Sequence, residues 1–159
     1  LSTAVSDAKS AFELRNQKNN LRLKEHFKSI ARKTTQTDAW CSDLVVRGKV
    51  PRWRLELNGV QVAVWSIDRN GFSFSRAAID LLHEHDALKE VHLHDDVSWK
   101  GDVFAQMVKQ ADPGIRSGDD VRVLQAGHCI GLARATASGW EWSGTPGTLA
   151  KSHQRKKTS

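Results

Sequence analysis

Hydrophobic and polar residues along this chain change period twice. Over residues 4 to 33 the apolar positions fall at helical intervals. Val5, Ala8 and Phe12 share one face, and Leu23, Phe27 and Ile30 share a later stretch of face. "NQKNN" (16 to 20) interrupts this pattern and reads as a break, and the polar "KTTQTDA" (33 to 39) reads as a linker. The period then drops to two. In "RWRLELNGVQVAVW", Trp53, Leu55 and Leu57 alternate with Arg52, Arg54 and Glu56, and Val60, Val62 and Val64 alternate again after Asn58-Gly59. Alternation on both sides of Asn-Gly predicts a β-hairpin, because the favoured two-residue turn needs positive φ at both central positions.

A second turn, "DRNG", leads into "FSFS". Ser75 stands where it can cap a helix through "RAAIDLLHEH", which would bury Ala78, Ile79 and Leu82. "EVHLHDDV" predicts a strand with Val91 and Leu93 on one side. After Trp99, "GDVFAQMVKQA" reads as a short strand or helical turn, and Pro113, Gly114 and Gly118 punctuate a turn region. Val121 and Val123 then alternate with Arg122 and Leu124, "QAGH" turns, and Ile130 begins the return strand. Short strands with close turns predict a small barrel or sandwich. The expected fold class is α+β: a helical extension and linker over 1–38, a small α+β domain over 42–97, and a β pseudo-barrel over 98–159 that ends in a basic tail.

Composition bounds what such a chain can do. With 159 residues and 39% hydrophobic residues, one domain or two small ones can form around a modest core. The formal net charge of +6 favours an anionic partner. No run of about 18 apolar residues is present, so no membrane helix is expected, and no signal peptide is legible. Cys41 and Cys129 are far apart and form no CxxC pair, so neither a disulfide scaffold nor a cysteine zinc site is expected. Free thiols fit a cytoplasmic location. The chain opens on Leu1, which suggests a fragment or a processed start.

The charge is separated into patches. Eight Lys and Arg residues lie between positions 9 and 33 against Glu13 and Glu25. This run reads either as a solvated helical face or as an extension along a phosphate backbone. Arg47, Lys49, Arg52 and Arg54 form a second basic run, the tail a third, and the acidic excess falls between 76 and 120. Such separation is what phosphate binding requires. Of six tryptophans, Trp53, Trp65 and Trp99 read as core, whereas Trp140 and Trp142 lie in a Gly/Ser-rich stretch where a ring could stack on an unpaired base.

Catalytic chemistry is not legible. There is no GxSxG, no phosphate loop ending in GK[ST] and no HExxH, so no catalytic residue and no cofactor is assigned. His83 and His85, on a helix, do not share a face; His92 and His94, on a strand, do, but supply only two ligands, so no metal site is assigned.

The C-terminal unit resembles a PUA domain. The residues that carry the likeness are "KGDVFAQMVKQADPGIRSGDDVRVL", "GLARATASG" and "GTLAK". Gly101, Val103, Phe104, Ala111, Asp112, Ile115, Gly118, Asp119, Val121, Val123, Arg134, Ala135, Ser138, Gly139 and Gly147 fall on the family pattern. Ala133 stands where the family usually has glycine. With the hairpin unit before it, the chain resembles the C-terminal region of archaeal tRNA-guanine transglycosylases and archaeosine synthases, over about 42 to 150. That resemblance implies a PUA-like pseudo-barrel and tRNA as partner. The catalytic step would then lie on an upstream transglycosylase domain, on a separate transglycosylase subunit, or be absent. Lys100, Gly101, Arg116, Gly118, Arg134, Lys151, Arg155, Lys156 and Lys157 would be its RNA contacts. The alternatives are a catalytic subunit of tRNA base modification, or a module that docks onto a transglycosylase.

Overall fold

A computed structural model describes residues 21–69, 71–139 and 147–156. Val5, Ala8, Phe12, the "NQKNN" break, Trp140, Trp142 and Lys157 therefore lie outside the described residues. Helix α1 is described over 21–35, with Phe27 and Ala31 buried and Leu23 and Ile30 partly buried against them. Its end is more ordered than a linker. Thr35 is buried, its hydroxyl lies 2.7 Å from the Ala31 carbonyl and 2.8 Å from that of Thr37, and it accepts the Trp40 indole N–H.

Four antiparallel strands follow in sequence order: β1 (Val45–Lys49), β2 (Arg52–Leu57), β3 (Val60–Ser66) and β4 (Gly71–Phe74). The β2–β3 turn has the expected chemistry, with φ of 51° at Asn58 and 81° at Gly59. Cross-strand register places Trp53, Trp65 and Phe72 in one row of the sheet. This inner face meets Phe27 of α1, whose ring centroid lies 5.7 to 6.3 Å from those three. Aromatic burial of this kind supplies most of the cohesion of a small unit.

Helix α2 (Ala78–Glu84) buries Ala78, Ile79 and Leu82 as its periodicity predicts. Ser75 does not cap it through its side chain. The hydroxyl donates to the Gln61 carbonyl instead, at 2.6 Å, and the helix begins without a side-chain cap. Ser75 thus pins the end of β4 to the start of β3.

The second sheet has six strands in the order β6 (Val103–Phe104), β10 (Thr148–Arg155), β9 (His128–Ala135), β8 (Asp120–Gln125), β5 (Lys89–Leu93), β7 (Val108–Ala111). Its two edges, β6 and β7, are joined only by the 3₁₀ turn Ala105–Met107. In a flat sheet those edges would stand about 24 Å apart. A three-residue link spans roughly 10 Å at most. The sheet must therefore curl towards closure, and Val91, Val103, Val121, Val123, Ala133 and Leu149 fill its interior. The fold is a PUA-like α+β fold with a nearly closed barrel.

β5 pairs with β8 in parallel and with β7 antiparallel, so the strand at 89–93 belongs to the second sheet. Leu124, Cys129 and Leu132 of the barrel strands join the aromatic core of the first sheet. One continuous apolar contact therefore fastens the two sheets. Burial pushes the Cys41 thiol up to about 12 and raises that of Cys129, so both are inert hydrophobes at neutral pH.

Gly139, one of the pattern glycines, has a steric reason. A Cβ there would lie 2.5 Å from the Asp112 carbonyl oxygen and 2.8 Å from that of Pro113, and the Gly139 N–H donates to Ile115 at 2.7 Å. Backbone crowds the site, so no side chain can rotate out of the way. Gly139→Ala is expected to cost about 1–3 kcal/mol, read as a lower midpoint in urea denaturation.

Candidate nucleic-acid interface

Strand register assembles the centre of the site. On β9, Arg134 stands opposite Asp120 of β8 and opposite Lys151 of β10. These three side chains form a row across the barrel surface. Arg134 donates from Nε to Asp120 Oδ1 at 3.2 Å and stays one-third exposed, while Lys151 is exposed. The Gly118 N–H donates to the Ala135 carbonyl at 2.7 Å, which draws the 112–119 turn down beside the same row. Gly118 has φ of 95° and nothing within 4 Å of where a Cβ would be, so the backbone there is open to a close approach.

Two concave regions meet at Arg134 and Gly118. A cleft of about 320 Å³ lies between the sheets, lined by Lys33, Arg69, Phe72, Phe74, Asp120 and Arg134 among others. A second of about 390 Å³ is lined by Arg134, Thr136, Lys151, Ser152 and His153. Ser152 and His153 also line a larger depression of about 1040 Å³ that holds Trp99, Arg155 and Lys156. A groove thus follows β10 from the junction of the sheets to the end of the strand.

His153 sits at that junction. Its Nε2 accepts the Phe74 N–H at 3.2 Å, which fixes the proton on Nδ1. Burial lowers its pKa below the usual histidine value, against the pull of Asp120. Burial likewise raises Asp120 above the usual carboxylate range, and the Arg134 guanidinium opposes that rise. Asp120 offsets part of the charge of Arg134, which leaves Lys151, Lys33 and Arg69 as the freer cations of the groove.

The other expected contacts form a second group. Lys100 and Gly101 are exposed beside Trp99, whose indole N–H donates to the Gly101 carbonyl at 2.6 Å. Arg155 donates to the Trp99 carbonyl at 3.3 Å, and Lys156 pairs with Asp80. Arg116 is exposed on the 112–119 turn, where its N–H donates to Asp119 Oδ2 at 2.9 Å.

Arg69 and His153 were not singled out by the sequence, and Lys33 was marked only as one member of the basic run over 9–33. Lys33 and Arg69 reach the groove only through packing of α1 and the β3–β4 turn against the barrel, whereas His153 comes from β10 itself, two residues beyond Lys151. The basic segment of α1 is partly committed to structure. Lys24 donates to the Ser42 carbonyl at 2.7 Å, and Arg32 pairs with Asp38 at 2.5 Å. His83 accepts from Arg122 at 2.7 Å and His92 pairs with Glu90 at 3.0 Å.

Comparison with known proteins supports the barrel. No family model matches the chain. Over 57 residues it is 40% identical to archaeosine synthase subunit alpha of Thermococcus kodakarensis, a match covering 36% of this chain and 10% of that protein. A conserved PUA domain protein of Thermoplasma acidophilum has the same fold, with a TM-score of 0.61, 19% identity, and coverage of 81% of this chain and 87% of that one. A hypothetical protein of Pyrococcus horikoshii OT3 also has a TM-score of 0.61, at 16% identity over 83% of this chain and 89% of its own. The protein of unknown function AF0587 is 26% identical with a TM-score of 0.57, covering 71% of this chain and 40% of that one.

Proposed function

We propose that this chain is an RNA-binding module that holds tRNA for archaeosine-type modification, as an accessory or C-terminal part of a transglycosylase or archaeosine synthase. The observation that carries the reading is the row of Arg134 and Lys151 beside the open backbone at Gly118, on a PUA-like barrel. Support comes also from the segment that matches archaeosine synthase subunit alpha. Cations lining a groove suit phosphates, and a groove admits a helical RNA end by shape rather than by base sequence. The catalytic step then belongs to another domain or subunit, which the module would position on its substrate.

The test is binding of the full chain to unmodified tRNA and to a DNA duplex of equal length, by fluorescence anisotropy across a potassium chloride series. tRNA is expected to bind more tightly, with log affinity falling by about 0.7–0.9 per phosphate contact for each unit of log salt. Equal, salt-insensitive binding of both would overturn the reading.

A further inference from the structure

The outer face of the four-stranded sheet carries charge that the groove does not account for. Register fixes which residues share it. Lys49 stands opposite Arg52, and Arg47 opposite Arg54, and these rows alternate with the buried rows of Trp53 and Leu55. Arg47, Lys49, Arg52 and Arg54 are all exposed on the face away from α1. Glu56 is the only acidic residue in β1–β4, and it pairs with Arg47 at 2.7 Å.

Like charges directly opposite each other destabilise an antiparallel pair. A sequence that served the sheet alone would set an acid against each cation. Here two like pairs stand side by side, between the edge strand β1 and its neighbour β2, and a polyanion laid over them relieves both. The face also leads towards the groove. Arg69, in the β3–β4 turn, donates to Ser73 Oγ at 2.6 Å, and Ser73 lies in the same cross-strand row as Arg47, Arg54 and Val64. Arg69 lines the cleft with Arg134 as well.

We infer that the outer face of β1 and β2 is a second phosphate-binding surface, which takes the RNA backbone onward from the barrel groove past Arg69. The inference rests on the RNA-binding reading above and makes the site bipartite: barrel groove and sheet face hold different stretches of one RNA. Contacts are to phosphates, so this surface adds affinity and alignment without base selectivity.

The test is the double variant Arg52→Glu/Arg54→Glu in the full chain, with Lys151→Glu as the comparison. Each sheet substitution replaces a like pair by an opposite pair. The melting temperature of the double variant is therefore expected to hold or rise. Its affinity for tRNA is expected to fall tenfold or more, and its salt slope to become shallower by about 1.4–1.8. Wild-type affinity and slope in the double variant, alongside weakened binding by Lys151→Glu, would overturn the second surface and leave the groove intact. Loss of binding to phosphatidylserine vesicles with tRNA binding unchanged would also overturn it. Failure of the wild type to bind tRNA would instead remove the underlying reading.

Discussion

Replacing Arg122 with Ala is expected to lower the unfolding free energy by about 3 kcal/mol, near the lower end of what breaking a buried ion pair costs. Arg122 lies on β8 and is only 2% exposed. Its Nε and Nη2 both donate to the Leu88 carbonyl, at 3.3 and 3.2 Å, Nη1 reaches His83 Nδ1, and Nη2 lies 3.0 Å from Glu90 Oε1. One guanidinium therefore ties α2, the loop after it and β5 to the barrel. Truncation would strand the Leu88 carbonyl in a buried position, which costs roughly 1–3 kcal/mol, and would leave a void where the side chain stood. The carboxylates soften the loss. Glu90 is about one-third exposed and Asp86 mostly exposed, so water can take over both. For a chain of this size the change corresponds to about 6–12 °C in melting temperature. Arg122→Lys, with one ammonium for four acceptors, is expected to recover only part of it. A loss under about 1 kcal/mol in Arg122→Ala, measured by urea denaturation, would show that Arg122 is not a fastener between the parts.

Arg122 also shows where sequence reading stops. The alternation of Val121 and Val123 with Arg122 and Leu124 correctly locates a strand. It does not say that the second face is covered. Period two separates two faces; only the packing of α2 and the 86–88 loop onto β8 decides that both are buried. The same limit applies to β5, whose alternation is local but whose partners, β8 and β7, lie 15 or more residues away. By contrast, the Asn58-Gly59 hairpin and the apolar face of α2 were legible because local turn chemistry and helical spacing determine them. Ser75 had the right residue type for a cap, yet its hydroxyl is directed to a tertiary partner, the Gln61 carbonyl, and its oxygen accepts no N–H from the first turn of α2. The candidate site divides along the same line. Arg134 and Gly118 came from a motif, whereas Lys33, Arg69 and His153 meet them only in the folded chain.

The groove itself is tested by removing two of its cations together. Arg134→Gln/Lys151→Glu is expected to weaken tRNA binding by about 30- to 100-fold, or about 2–2.7 kcal/mol. The salt slope should become shallower by about 1.4–1.8. Both residues face one strip of the barrel, so their loss removes adjacent phosphates rather than scattered ones. The stability consequence has a definite sign. Burial already raises the Asp120 pKa, and Arg134 is the largest influence holding it down. Without that guanidinium the folded state binds the Asp120 proton still more tightly. A raised folded-state pKa contributes stability that is fully present below the unfolded carboxylate value and is lost as pH rises through the folded one. The variant is therefore expected to lose stability relative to wild type at neutral pH and to regain it as the solution is acidified towards pH 4. Binding should be compared at temperatures well below the variant's melting point, so that a folding defect cannot pass for a lost contact. A fully folded double variant with wild-type affinity and an unchanged salt slope would place the phosphates elsewhere on the molecule and remove Arg134 and Lys151 from the interface.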